Sequence, residues 1–341
     1  MCGQHRSAVE VAAAGRAEVA REGFGLLARL YPDRAVPIQE RIAAALVGYA
    51  CGDAFGLPWE GHRPQTIDLA VAAQLPARPG WPAGATSDDT ALTVLVAEHL
   101  AEHGQPRPLE FLASLAERAA DIPGLGPSTA AAVEQFRSTG GLPTGGGNTN
   151  GALMRALPVG WATPPPAADR RRQWAVTLAA ATHPGAEAQC AAAIGAACAS
   201  WAVEGAEADL LLEVAAAEAA ATVPATGADP AILDGLRVVA AGAWTPPADG
   251  ISLHPYQTLL AVLHCLHHAT SLRQAAEAAV ALGGDTDTTA ALVAGLLAVR
   301  STPDQVRAEL PYSSRVQLPP EEQVTGLAAS LAALRTGQDD G

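Results

Sequence analysis

Two short segments of this chain bring acids and hydroxyls together in a pattern suited to a hard metal ion. One is Gly84-Ala85-Thr86-Ser87-Asp88-Asp89-Thr90; the other is Gly283-Gly284-Asp285-Thr286-Asp287-Thr288-Thr289. Each opens an apolar run with helical spacing, ALTVLVAEHL after the first and AALVAGLLAV after the second. Oxygens at successive positions of a helix start project into one small region. If the two starts meet, Asp88, Asp89, Asp285 and Asp287 share that region with several hydroxyls. Carboxylates that close raise one another's pKa unless a cation neutralises them. Ligands that are all oxygen favour Mg²⁺ or Mn²⁺ over Zn²⁺, and a binuclear centre of this kind can orient substrate hydroxyls and activate a water. A plainer reading stands beside this one, because Ser, Thr and Asp cap helices routinely.

Other segments carry weaker signals. Gly52-Asp53-Ala54-Phe55-Gly56-Leu57-Pro58-Trp59-Glu60 ends a helix-period stretch, and its Pro-Trp pair can hold Glu60 on a rigid loop as a general acid, a general base or a water holder. The alternative is an exposed glutamate after a helix end. Gly145-Gly146-Gly147-Asn148-Thr149-Asn150-Gly151-Ala152-Leu153-Met154-Arg155 is a glycine-rich loop whose backbone N–H groups, with Arg155, can cradle a phosphate. It matches neither GxGxxG after a strand nor a Walker A motif. Thr182-His183-Pro184 puts an imidazole at a helix boundary, as a cap or facing a cleft. His264 and His268 have the i, i+4 spacing of a helical metal pair, but the sequence offers no evident third ligand nearby. The six tryptophans read as core or loop anchors rather than as a base-stacking platform.

The elements that must position these groups read as helices throughout. Helix-period patterns cover 38–51, 89–102, 108–119, 128–138, 171–182, 186–203, 206–221, 256–269, 272–282, 287–299 and 321–335, with a further one at 8–30. Loop chemistry separates them, as at 76–84, 140–147 and 224–230, and no convincing alternating strand intervenes. The expected architecture is all-α, a compact single-domain multi-helix bundle over 36–341 with residues 1–35 as an N-terminal helical appendage.

Composition narrows the chemistry further. The 341 residues include 21 Lys+Arg and 35 Asp+Glu, a formal charge of −14, and every one of those cations is an arginine. Without lysine there is no Schiff base and no P-loop cation. An acidic chain also lacks the electrostatic footprint of a nucleic-acid partner or an anionic membrane surface. Five cysteines at 2, 51, 190, 198 and 265 have no CxxC spacing and read as reduced thiols. The N-terminal segment carries charges where a signal peptide needs an apolar stretch, and no strongly apolar run of membrane length appears. The expectation is a soluble cytoplasmic protein.

GDAFGLPWE, TSDDT, GNTNGALMRALPVG, THP and GGDTDTTAALVAGLLA, in that order, resemble the ADP-ribosylglycohydrolase family over roughly residues 38–300. The resemblance implies an all-α fold and two Mg²⁺ or Mn²⁺ ions held by Ser87, Asp88, Asp89, Asp285, Asp287 and Thr288. Ser87 stands where relatives usually have threonine. Glu60 matches a glutamate near metals and substrate, and DIPGLGPST resembles a loop that would make Asp121 a candidate base; with Asp287, these two form the expected catalytic set. Asn150, Gly151, Ala152 and Met154 would lie along ADP-ribose, with His183 near it. The implied reaction is cleavage of the C1″ glycosidic bond of ADP-ribose on a protein side chain. An ADP-ribose binder without activity, or a hydrolase of another ADP-ribosylated small molecule or base, would use the same pocket.

Overall fold

Gly48, Gly52 and Gly56 recur every fourth residue and so form a bare stripe along one long helix, which decides how the centre of the molecule packs. A Cβ on Gly52 would lie 2.3 Å from the carbonyl oxygen of Ala290, and one on Gly56 would lie 2.3 Å from that of Thr286. The helix that begins at Thr286 therefore rests directly on the backbone of the first. Even one methyl group at this crossing would cost about 1–3 kcal/mol through overpacking.

The computed structural model describes residues 36–337, so the 8–30 pattern and almost all of the proposed appendage lie outside the described residues. The sixteen described α-helices are α1 (Ile38–Gly56), α2 (Leu69–Ala72), α3 (Asp88–His103), α4 (Pro108–Arg118), α5 (Pro127–Thr139), α6 (Gly151–Met154), α7 (Leu157–Ala162) and α8 (Ala168–Ala180), followed by α9 (Ala186–Val203), α10 (Ala208–Thr226), α11 (Ala231–Ala240), α12 (Pro255–His268), α13 (Leu272–Ala281), α14 (Thr286–Ala298), α15 (Pro303–Glu309) and α16 (Glu321–Thr336). No strand occurs among the described residues, only three isolated β-bridges. The all-α expectation holds. One boundary differs: α10 runs through Pro224 to Thr226, where the sequence suggests a break, because a proline in the last turn removes only one N–H from the ladder.

The helices packed around α1, α14 and α9 bury a large core rich in Ala, Leu, Val and Cys, with a small separate cluster of Ala152, Ala156, Ala179, Ala188 and Ala192 beneath the glycine-rich loop's helix. Helix α1, with the turn after it, is the one described element long and apolar enough to cross a membrane, and 89% of its apolar window is buried inside the protein. Cys51, Cys190, Cys198 and Cys265 are buried and free. Two backbone devices then aim the functional side chains. Ser87 caps α3, its hydroxyl accepting the Asp89 N–H at 3.1 Å. The turn before α14 is pinned on both sides: Gly61 N–H donates to Gly284 O, Gly284 N–H donates to His62 O, and Asp285 N–H donates to Ile251 O, each at 2.8 Å. Gly284 has φ +73, and a Cβ there would lie 2.1 Å from Ile251 O.

Candidate functional site

The two helix starts meet. Thr288 Oγ1, in the first turn of α14, donates to Asp89 Oδ2 in the first turn of α3 at 3.2 Å. Ser87 Oγ lies 3.2 Å from the same oxygen, and the Tyr49 hydroxyl of α1 lies 3.2 Å from Asp89 Oδ1 and 2.6 Å from the Met154 carbonyl. Asp285 sits at the N-cap position of α14, yet its side chain makes no capping bond to that helix's backbone. It receives instead the Asn150 side-chain amide, which also reaches Thr258 Oγ1 at 2.9 Å. The capping explanation accounts for Ser87 but not for Asp285.

A fifth carboxylate completes the group. Asp53, in the last turn of α1 and 0% exposed, accepts the Ser87 N–H at 2.9 Å, the Thr90 N–H at 3.1 Å and the Thr90 hydroxyl at 2.5 Å. It thus holds the start of α3 from across the helix crossing. The sequence marks the segment containing Asp53 but not this side chain's role; its only signal is an acid inside an otherwise apolar helix end.

Burial governs the electrostatics here. It pushes the Asp53 and Asp285 carboxyls up to about 6, against the hydrogen bonds each accepts. Asp88, half-buried and accepting the Gly126 N–H at 3.1 Å, is raised to about 7 by burial and then by Asp53 and Glu60. Asp89 and Asp287 stand well above the ordinary carboxylate range, through burial first and neighbouring carboxylates second. Among the described residues no arginine pairs with any of these five acids. The carboxylates are linked through hydroxyls, and among the described residues no three acid, imidazole or thiol groups close on one point. The donor chemistry nonetheless suits a hard divalent cation: buried anionic oxygens and hydroxyls, with no soft ligand and no internal counter-charge.

Glu60 lies on the exposed loop after α1, paired with Arg78 Nη2 at 3.0 Å. Arg78 also donates to Leu57 O at 2.5 Å and lies over the Trp81 ring at 5.8 Å. Its placement beside Glu60 has no sequence signal beyond the turn residues Pro79 and Gly80. Asp121 is exposed on the turn after α4 and makes no hydrogen bond to the clustered acids; its loop reaches them five residues later, through Gly126.

The glycine-rich loop is built differently from its sequence reading. Arg155 is 1% exposed, donates to Leu178 O and Thr182 Oγ1, and lies over the Phe111 ring. The expectation that it contacts phosphate is therefore corrected: the guanidinium faces the core. Thr182 in turn lies 2.7 Å from His183 Nδ1, whose Nε2 is 3.0 Å from Thr149 Oγ1. His183 is fully buried and held to about 3 by burial and then by Arg155, so its imidazole is neutral. It supports the loop from behind. A Cβ on Gly151 would meet the ring at 2.8 Å. Asn150, Ala152 and Met154 are all buried as well, and the loop's exposed part is Gly145, Gly146 and Asn148. His264 and His268 stack edge to face, with ring centroids 4.5 Å apart, and no third ligand joins them among the described residues.

No curated protein matches the chain significantly. Solved structures do match it. One described as an ADP-ribosylglycohydrolase-related protein complex aligns with TM-score 0.67 at 23% identity, over 87% of this chain and 98% of its own, which shows a shared fold. The family model for ADP-ribosylglycohydrolase matches residues 34–341. That match takes in both helix starts, the Glu60 loop and the glycine-rich loop, and so this chain belongs to the ADP-ribosylglycohydrolase family, glycohydrolases of ADP-ribose linkages.

Proposed function

We propose that this protein hydrolyses the C1″ glycosidic bond joining ADP-ribose to a protein side chain, in a reaction that depends on two Mg²⁺ or Mn²⁺ ions. The observation that carries the reading is the contact between Thr288 and Asp89, which gathers buried acids from two helix starts with no internal counter-charge. Ser87, Asp88, Asp89, Asp285, Asp287 and Thr288 would hold the ions. Bound there, divalent cations supply charge neutralisation, orientation of ribose hydroxyls and activation of water.

The chain's own groups supply the rest. Breaking the C1″ bond builds oxocarbenium character on the ribose, and nearby carboxylates stabilise it. Asp53 and Asn150 act by position, the first fixing the start of α3 and the second fixing Asp285. Glu60, exposed beside the buried acids and oriented by Arg78, is the group best situated to move a proton to the leaving atom or from water. Asp121 is a second candidate on the facing loop. The exposed N–H groups of Gly145 and Gly146 suit a pyrophosphate, and four buried free thiols accord with a reducing cytoplasm.

The test is a release assay with arginine-linked and serine-linked ADP-ribosyl peptides. ADP-ribose should appear from at least one, stop with EDTA and return with added Mg²⁺ or Mn²⁺. Release from neither peptide, or release indifferent to EDTA, would overturn the proposal.

A further inference from the structure

A cavity of about 300 Å³ lies beside the glycine-rich loop, one of its lining residues, Glu187, being bonded to Asn148 of that loop. Its walls are Glu187 and Asp229, the aromatic pair His254 and Tyr256, and an aliphatic floor of Ile232 and Leu260. Neither carboxylate has a cationic partner among the described residues. Glu187 accepts only the Asn148 amide, and Asp229 accepts the Ala231 N–H at 2.9 Å. The His254 ring accepts the Tyr256 N–H on Nδ1 at 3.2 Å, which fixes its orientation at the cavity. The rings of His254 and Tyr256 are 5.6 Å apart at 64°.

These features select an occupant. Two carboxylates without a counter-charge attract a cation, and the exposed His254 ring, backed by the buried Tyr256, favours one that is flat. A guanidinium meets both demands, since its planar fork can address carboxylates while its faces stack on rings; an ammonium offers no such plane. Ile232 and Leu260 suit the aliphatic stem that carries it. The cavity is also tied to the loop at two points. Asn148 holds Glu187, and the Asn150 N–H donates to Leu253 O at 2.9 Å, one residue before His254. A group seated here therefore lies next to the loop proposed to carry the pyrophosphate.

We propose that this cavity is a guanidinium subsite that takes an unmodified arginine side chain of the substrate polypeptide. The identity of that polypeptide as substrate rests on the function proposed above, whereas the guanidinium chemistry rests on the cavity alone. The experiment is a titration of the intact protein with N-acetyl-arginine amide, followed by protein NMR, with the citrulline amide and adenosine as comparison ligands. Saturable binding of the arginine amide is expected, with none by the citrulline amide. Glu187→Gln and Asp229→Asn keep the acceptor oxygens used by Asn148 and Ala231, and each should weaken binding about fivefold. Unchanged melting temperatures would show that both variants fold. No saturation by the arginine amide, equal binding of citrulline amide, or adenosine displacing the arginine amide would overturn the proposal. Hydrolysis of ADP-ribosyl peptides with and without a flanking arginine separates the two readings. Equal KM for both peptides overturns the subsite while leaving the hydrolase, and intact arginine binding with no hydrolysis overturns the substrate while leaving the cavity's ligand.

Discussion

Two regions of this molecule bury acids, and they do so on opposite terms. At the junction of α8, α9, α10 and α16, Glu218 accepts Arg172 Nε at 2.5 Å with Arg171 nearby, and Glu204 accepts Arg335 Nη2 at 2.8 Å. Arg335 also reaches the carbonyls of Gly160, Thr163 and Ser200, so both charges and most of their hydrogen-bond capacity are met within the chain. Where the starts of α3 and α14 meet the end of α1, five acids share hydroxyls and backbone donors and meet no arginine among the described residues. A sequence with 21 arginines could have supplied one. The lesson is that the first region is complete as folded, whereas the second is arranged for a charge that arrives from outside.

The largest effect expected from this contrast is on catalysis. Asp88→Ala or Asp287→Ala should lower hydrolysis by about a thousandfold or more, with the metal-induced rise in melting temperature lost and the far-UV CD spectrum retained. Full activity in either variant would erase the distinction between the regions. The arginine-paired region should respond in the other way. Glu204→Ala removes a buried carboxylate that accepts from both Nε and Nη2 of Arg335, at a cost of about 3–5 kcal/mol, measurable by urea denaturation, while the metal response of whatever remains folded is unchanged.

The acid centre should also reveal itself through pH. Asp53 and Asp285 at about 6 and Asp88 at about 7 lie above their unfolded values. The folded state therefore binds more protons than the unfolded one from about pH 4 upward. Stability of the metal-free protein from this source is present at low pH and lost as pH rises through about 6–7. Added Mg²⁺ or Mn²⁺ should remove that decline. Asp287→Asn, which keeps an oxygen for the Thr288 N–H, should stabilise the metal-free protein by about 1 kcal/mol at pH 8. A loss of stability there would mean that the carboxylates are not in conflict.

The smallest expected effect lies at His183, and its sign is reversed. Its folded value of about 3 is below the unfolded one of about 6.5, so its contribution is present above pH 6.5 and lost as pH falls toward 3. His183→Gln should flatten that acid limb in pH-dependent melting curves and raise KM more than it lowers kcat, because the ring supports the loop from behind.

The sequence makes much of this legible and leaves particular parts dark. The long helices appear within a few residues of their observed ends because apolar periodicity and flanking Gly or Pro mark them, as in Ala186–Val203. Short helices such as Leu157–Ala162 do not, since six residues buried on every side show no period. The acids and hydroxyls at the two helix starts stand out by type and position, but their meeting depends on the glycine stripe of α1 facing α14, a relation between elements 230 residues apart in one contact. Arg155 and His183 look like ligand contacts because polar groups beside a glycine loop usually are; that both are buried and bonded to one threonine is a property of packing that spacing does not encode.

On this reading the acid centre, and not the arginine-paired one, holds divalent cations. Equilibrium Mn²⁺ binding followed by EPR, on the wild type and on Asp287→Ala and Glu204→Ala, tests it most directly. Two Mn²⁺ should bind per chain in the wild type and in folded Glu204→Ala, with binding lost or halved in Asp287→Ala. Absence of binding in the wild type, or the same stoichiometry and affinity in Asp287→Ala, would contradict it.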